Sequence, residues 1–403
     1  MNALLFGGVR RHHDFLYEAG YDVSWFIARD AQLPEDLSSP PRRLIAYAPD
    51  DPLELLVDLA KLLHAQFGFE RVFAFHDDSQ ELAIRIAAAL GLGFSVSIDA
   101  LRNTRDKAAT RRALAQAKVP SCWHASAVDA AALLRVLGYC ILPKVVIKPV
   151  AGTGSRNVIA FEGPASVSRA QIDAQVSDYP VLVEAFLEGK EYSVETCSAN
   201  GRHYVLGITE KFVESGSFVE CGHLFPARLD ATATAAITDY VARVLDAAGV
   251  DNTPTHTEIM LGADGPQLIE THTRVGGDWI PTLVHETTGI DLYELGARLQ
   301  IGDAAAFVEQ QCATPVYNGV CGIRYLMPGA YGGRVVKEVH GVDEARALPG
   351  VMEVYLVRKP GERIKQSRDS FSRLAYVRAK AATREELVDT LDAAIGSLRY
   401  EFE

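Results

Sequence analysis

The chain has 403 residues, 48% of them apolar, and a formal net charge of −12, which describes a globular protein large enough for two or three units with their own cores. The acidic balance speaks against a nucleic-acid partner, because phosphate backbones are met by basic faces, and no stretch has the length of a membrane span. The six cysteines are scattered with no C-x-x-C, and the N-terminal MNALLFGGVRR places its charges after a short apolar run rather than before a long one, so the expectation is a cytoplasmic protein with reduced thiols.

Residues 1–99 alternate short apolar strands, at 3–6, 23–28, 44–48 and 72–75, with helical apolar spacing at 53–67 and 81–90. That alternation predicts a parallel sheet with helices on both faces. Gly7-Gly8 follow the first strand, but no G-x-G-x-x-G is present, so no dinucleotide site is claimed. His76-Asp77-Asp78-Ser79 reads as a helix N-cap at a strand end.

Residues 104–118 read as one helix, capped by Thr104 and stopped before Pro120. Lys107 then lies in the first turn, where a cation is disfavoured unless a bound anion offsets the cost. Arginine greatly outnumbers lysine, so the lysines at 107, 148 and 211 stand out.

In VVIKPVAGTGSRNVIAF a β-branched strand ends at Lys148-Pro149, and Ala151-Gly152-Thr153-Gly154-Ser155 leads into a second strand, 157–161. This is not a Walker P-loop, since no Gly-Lys-Ser/Thr closes it and no helix follows. It reads as a glycine flap whose backbone N–H groups can cover phosphates, with Lys148 adding a point charge. Residues 181–187 form a strand that is apolar except for Glu184. Glu191 precedes two strands, 192–199 and 203–208, joined by Asn200-Gly201, a strong type I′ hairpin signal. The run ITEKFVESGSFVECGHLFPARL, with Lys211, Glu214, His223 and Arg228, reads as a long irregular connection, and such loops are often functional. Residues 232–249 form an apolar-striped helix.

The run THTEIMLGADGPQLIETHTRVGGD carries the most information. Ala263-Asp264-Gly265 reads as a three-residue hairpin loop with glycine where φ is positive. Folding about it places Glu258 opposite Glu270, with His272 and Arg274 on the same face of the second strand. Like charges opposite each other destabilise a sheet, and a divalent cation that also holds phosphates removes that cost. Gly276-Gly277 permit close backbone approach to a small substrate, and Asp278 is expected to cap a helix starting near 280, the alternative being a contact to a substrate amine. From about 307 the chain reads as strand-rich, with two strands around a Pro-Gly turn in GIRYLMPGAYGGRVVKEV and a final helix at 384–397.

Lys107, Lys148-Pro with its glycine loop, VLVEAFLEGKEYSVE, Glu258 and E-x-H-x-R, in this order, resemble the ATP-grasp superfamily, and more closely its carboxylate–amine ligases of the L-amino-acid (dipeptide) ligase type. The resemblance covers nearly the whole chain. It implies an α/β and α+β architecture: a Rossmann-like N-terminal domain (1–99), an ATP-grasp core (100–306) with a lid near 141–188, and a C-terminal subdomain (307–403). It implies ATP and Mg²⁺, with Mn²⁺ as a substitute, and an acyl phosphate in an amide-forming reaction. Lys107 and Lys148 match the phosphate-binding lysines, and Gly152, Thr153, Gly154 and Ser155 the flap. Glu184, Ala185, Phe186 and Leu187 match the adenine hinge, and Glu191 the ribose-binding acid. Glu258 and Glu270 match the metal ligands, and Arg274 the arginine that meets the acyl phosphate. His223, Arg274, Gly276 and Gly277, with Phe212 and Pro226, fall where substrate is bound. His272 stands where the superfamily usually has asparagine. Neutral imidazole is a poorer partner for hard Mg²⁺, so the two glutamates are the expected ligands and a contact from His272 is left open. The partners implied are a small carboxylate and an amine, amino acids foremost, with no nucleic acid or membrane, and a homodimer is compatible. The alternatives are a biotin-carboxylase-like or purine-pathway ATP-grasp enzyme and a non-catalytic nucleotide-binding module.

Overall fold

The computed structural model describes residues 1–29, 31, 37–48, 50–152, 154–214, 217–302, 304–365 and 369–403. The expected opening alternation is present. Strands Asn2–Phe6, Asp22–Ala28, Arg43–Tyr47 and Arg71–Ala74 form a parallel sheet in which Asn2–Phe6 lies between Asp22–Ala28 and Arg71–Ala74, with Arg43–Tyr47 at one edge. Alternate side chains serve two cores. Leu4 and Phe6 pack with Leu56 and Ala60 of helix Leu53–Phe67 and with Ile86 of helix Asp77–Ala89. Ala3 and Leu5 pack with Leu16 of helix Arg10–Glu18. A parallel sheet covered on both faces requires such continuously apolar strands.

Two expectations about helix starts are corrected. Helix Asp77–Ala89 begins after His76 with no side-chain cap, because the Asp77 carboxylate turns toward the Glu258/Glu270 hairpin. The single helix expected at 104–118 is two, Ile98–Arg105 and Lys107–Gln116, which meet at Asp106. The Asp106 carboxylate accepts from Ala109 N–H at 2.9 Å. The Thr104 hydroxyl instead donates back to the Ala100 carbonyl inside the first helix, a bond that competes with capping. Lys107 therefore opens the second helix.

Strands His124–Ala127, Val181–Ala185, Lys144–Pro149 and Ile159–Glu162, in that spatial order, make a four-stranded antiparallel sheet. The largest sheet has eight antiparallel strands, ordered Gly265–His272, Thr253–Gly262, Lys190–Ala199, Arg202–Val213, Glu220–Phe225, Val320–Leu326, Ala375–Ala381 and Val351–Leu356. Its Asn200-Gly201 turn has φ of +51° and +73°, the left-handed pair a type I′ hairpin requires.

The segment expected to be an irregular connection is instead part of this sheet. Arg202–Val213 and Glu220–Phe225 pair with Lys211 opposite His223. Glu210, Lys211 and His223 are buried, so polar residues occupy positions where an apolar alternation would have announced strands. The two strands expected around the Pro-Gly turn exist, but they belong to different sheets. Val320–Leu326 pairs within the large sheet, and Val336–His340 pairs with Arg399–Phe402. Helix Arg384–Ser397 starts with a capping box between Thr383 and Glu386.

Candidate functional site

The hairpin Thr253–Gly262/Gly265–His272 places Glu258 opposite Glu270, and His256 opposite His272. The expected three-residue loop is not what achieves this. Gly262 pairs with Gly265 across a two-residue turn, and the register then skips Ile269. The shorter turn and the skipped residue cancel, so the glutamates meet as the sequence arithmetic required. The irregularity also aims the Ile269 carbonyl, which accepts from Lys148 Nζ at 3.2 Å and from Arg111 Nη2 at 3.1 Å.

A cleft of about 590 Å³ is lined jointly by the two antiparallel sheets. Of the residues singled out from sequence, Lys107, Lys148, Gly152, Ser155, Glu184, Ala185, Phe186, Leu187, Glu191, Glu258 and Glu270 line it, as does Phe212. Gly154, His223, Pro226, Arg274, Gly276 and Gly277 do not, and Thr153 lies outside the described residues. Gly152, Gly154, Ser155 and Asn157 have positive φ, a region that glycine enters without strain. The Ala185 and Phe186 N–H groups donate to the Trp123 and Lys144 carbonyls.

The charges in this cleft are arranged in pairs. Lys107 Nζ lies 2.8 Å from Glu270 and donates to the Gly152 carbonyl at 3.2 Å, tying helix, hairpin and flap together. Lys148 Nζ and Arg111 Nε lie 2.6 and 2.5 Å from the two Glu184 oxygens. Burial opposes ionisation of Glu184, but Lys148 and Arg111 outweigh it and hold the carboxyl at about 2. Burial also lowers the Lys148 ammonium, aided by Arg111 and Lys107.

Lys211 is the centre of the second group. Its Nζ lies 2.7 Å from Glu191, 2.6 Å from Glu258 and 3.3 Å from Glu220, yet none of these contacts has hydrogen-bond geometry. Ligand oxygens of the three acids lie within 4.8 Å of one another. Burial works against the ammonium, and the three carboxylates more than reverse it, raising Lys211 well above its ordinary value. Glu191 therefore shares a cage with Glu258. His256 supports the cage from behind, with Nδ1 2.7 Å from Glu195 and Nε2 3.1 Å from Glu258. Burial disfavours its charge, but Glu195 and Glu258 push it up to about 10.

The N-terminal sheet also reaches this site. Asp77 Oδ2 lies 3.2 Å from His272 Nδ1 and accepts from Arg274 Nε at 2.5 Å, while His272 Nε2 lies 3.3 Å from Glu270. Arg274, placed by sequence on the face of the glutamates, is thus held by Asp77 at the end of the hairpin. Asp278 does not cap the helix Ile280–Thr288, whose N-cap is Trp279 with no side-chain bond. Its carboxylate instead accepts both Arg373 Nη atoms at 2.8 Å and faces His223 Nε2 at 3.2 Å.

Sequence reasoning passed over Arg111, Glu195, Glu220, His256 and Arg373, read Asp77 as part of a helix cap, and noted Lys211 without a role. Two signals were available. Arg111 follows Lys107 by four residues on one helix face. The hairpin reads T-H-T-E outward and E-T-H-T on return, so any face holding His272 beside Glu270 holds His256 beside Glu258. The others come from distant segments, and no local pattern brings them to the site.

Two family models match the chain: an ATP-grasp domain over residues 141–282 and an L-amino acid ligase C-terminal domain 2 over residues 324–403, together more than half of it. An uncharacterized protein of Sinorhizobium fredii, y4rH, is 31% identical over 308 residues, 73% of this chain and 60% of that protein. An alanine–anticapsin ligase of Bacillus subtilis is 31% identical over 130 residues, 29% of this chain and 27% of its own. The chain thus spans less than two thirds of the length of either relative. Among solved structures, an L-amino acid ligase from Bacillus licheniformis superposes with a TM-score of 0.84 at 21% identity, over 100% of this chain and 98% of that one.

Proposed function

The chain belongs to the ATP-grasp superfamily and carries the C-terminal domain of the L-amino acid ligases, and on that premise we propose that it is an ATP-dependent carboxylate–amine ligase. It joins an amino acid or related carboxylate to an amine as an amide and releases ADP and phosphate. The observation that carries this reading is the register pairing of Glu258 with Glu270 in a cleft that Lys107 and Lys148 also line.

Two half-buried carboxylates on adjacent strands suit a hard, oxygen-seeking cation, Mg²⁺ or Mn²⁺. Such a cation, when bound, neutralises the developing charge on the phosphate oxygens. The chain's own residues supply the rest. Lys107 and Lys148 meet phosphate oxygens as fixed point charges, and the 151–156 flap offers backbone N–H groups above them. A carboxylate oxygen of the acid substrate attacks the γ-phosphorus in line, and the bond to the ADP oxygen breaks. The amine nitrogen then attacks the acyl carbon, phosphate leaves, and the amine gives up a proton. The planar Arg274 fork suits a carboxylate and then the oxyanion that forms from it, which requires Asp77 to yield it to substrate. We assign Glu184–Leu187 to the adenine and Glu191 to the ribose or the cation. His223, Gly276 and Gly277 face the second substrate, and the three-part division at about residues 100 and 307 follows the same scheme. A cytoplasmic homodimer fits this reading.

The test is product analysis with purified protein, ATP, Mg²⁺ and a panel of amino-acid pairs. ADP, phosphate and an amide of matching mass are expected for particular pairs, and hydroxylamine in place of the amine is expected to give a hydroxamate of the acid. AMP and pyrophosphate, or phosphate release with bicarbonate alone, would overturn it. Glu270→Ala is expected to lower turnover by about a hundredfold or more with unchanged circular dichroism.

A further inference from the structure

A chain of alternating charges leaves the cage and ends at Asp278. Glu258 and Glu191 hold Lys211, and Lys211 lies 3.3 Å from Glu220 Oε1. The other Glu220 oxygen accepts from Arg373 Nη2 at 3.3 Å and from the Ser370 hydroxyl at 3.1 Å, and the Glu220 carbonyl accepts from Arg373 Nε and Nη2 at 3.1 and 2.8 Å. Arg373 in turn grips Asp278 with two bonds of 2.8 Å, and its guanidinium lies 3.7 Å from the centre of the Tyr325 ring. Lys211 and Arg373 are buried, so each link acts through a poorly screened medium.

The far end of the chain is strained. Asp278 and Trp279 have φ of +51° and +64° in succession. Asparagine and aspartate visit this region, but a bulky aromatic residue rarely does. Such conformations persist where the surroundings over-determine them, and they cluster at switch regions and ligand clamps. Here the fixing group is Arg373. The Trp279 ring, 41% exposed, lies beneath Arg378 at 4.6 Å and beside Tyr376 at 5.7 Å.

We propose that Glu220 and Arg373 are positioning residues that connect the nucleotide-side acids to the 276–279 loop, so that filling the nucleotide site resets how that loop is held against the second substrate. This rests on the reading of the cleft as a nucleotide site. A cation at Glu258 competes with Lys211 for the same carboxylate oxygens. Lys211 then leans on Glu220, Glu220 shares less of itself with Arg373, and the Arg373 grip on Asp278 changes. Neither Glu220 nor Arg373 lines the cleft, so each acts through its neighbours.

The loop carries its own reporter. The tryptophans are Trp25, Trp123 and Trp279. Trp25 is buried in the N-terminal sheet, and Trp123 lies beside the hinge strand, where it would respond to nucleotide directly. In full-length Trp123→Phe protein, titration with Mg²⁺ and the non-hydrolysable β,γ-methylene analogue of ATP is expected to shift tryptophan emission, and the shift is expected to vanish when Trp279→Phe is added. Arg373→Lys and Arg373→Gln are each expected to bind the analogue within about threefold of the parent by calorimetry, yet to show an emission change reduced about fivefold or more. A merely structural role would leave the amplitude intact wherever binding is intact. The link is overturned if both variants keep the full emission change. It is also overturned if the parent binds nucleotide with no change at Trp279, or if the shift survives Trp279→Phe. A parent that binds no nucleotide overturns the ligase reading itself, and the link with it.

Discussion

Arg111 is nearly inaccessible, yet it joins three elements: it binds Glu184 and donates to the Leu268 and Ile269 carbonyls. Removing one partner of a buried charge group leaves the other uncompensated, so Arg111→Ala is expected to destabilise the protein by about 3–5 kcal/mol, read as a shift in urea midpoint. A shift below about 1 kcal/mol, the range of an exposed pair, would mean that Lys148 alone satisfies Glu184. Gly276 shows a steric constraint of the same kind. A Cβ there would sit 2.8 Å from His256 Nδ1 and 3.1 Å from Glu195 Oε2, and these atoms belong to a buried ion pair that cannot give way freely. Gly276→Ala is expected to cost about 1–3 kcal/mol as overpacking and to disturb the support behind Glu258. His256 itself has a pH signature. Its folded value, pushed up to about 10, lies above the ordinary 6.5, so the protonated form is the stabilised one. Its contribution is complete below about pH 6.5 and is lost as pH rises toward 10. Glu258, held at about 2, acts oppositely, and its contribution is lost as pH falls from about 4.5 toward 2. The thermal midpoint is expected to fall between pH 7 and 10, with a shallower slope in His256→Gln. Equal slopes in the two proteins would remove His256 from the balance.

At the scale of the element, the outcome divides by where the information lies. The Glu258/Glu270 pairing was legible because a hairpin is local and its register follows from a glycine turn, even though the turn is one residue shorter and the register skips one position to compensate. The parallel sheet and its covering helices were legible because apolar runs of strand length alternate with helical spacing. The strands ending at Val213 and starting at Glu220 were not, since Glu210, Lys211 and His223 are buried there for the sake of the charge network rather than the core. Asp77 and Asp278 were read as caps because capping is what an isolated acid does before a helix. Only their partners, His272 with Arg274 in one case and His223 with Arg373 in the other, reveal another use. The flap between Lys144–Pro149 and Ile159–Glu162 gives this scale its prediction. Lys107 already holds the Gly152 carbonyl, and phosphates beneath the flap would supply acceptors for its N–H groups. Hydrogen exchange over residues 150–158 is expected to slow when Mg²⁺ and the ATP analogue are added. Equal protection in both states would separate the flap from nucleotide binding.

At the scale of the molecule, the C-terminal residues are not an appendage. Val320–Leu326, Ala375–Ala381 and Val351–Leu356 are three consecutive strands of the eight-stranded sheet, joined to it along Glu220–Phe225. Cys321, Ile323, Tyr325 and Tyr376 pack into one core with Cys197, Leu206, Phe225 and Leu283, and Leu224 packs with Val377 and Leu391 on the other side. A chain ended after Gly319 would lose Arg373, bare the pairing edge of Glu220–Phe225 and open both cores. An unpaired strand edge of that length is a template for association. The truncated protein is therefore expected to be recovered as aggregate, whereas the full chain melts its large sheet in a single cooperative step. The parallel N-terminal sheet stands differently, since it has its own strands and its own cores on both faces. Its contact with the hairpin runs through a few polar groups, among them Asp77 and Gln80, which bonds Thr273 through both its amide atoms. Asp77→Asn together with Gln80→Ala is expected to uncouple that sheet, so that calorimetry resolves an earlier N-terminal transition from that of the large sheet. One unchanged transition in the double variant would show that the apolar contacts of Ala297 and Ile301 with the N-terminal core, rather than these polar bridges, bind the two parts into one cooperative unit.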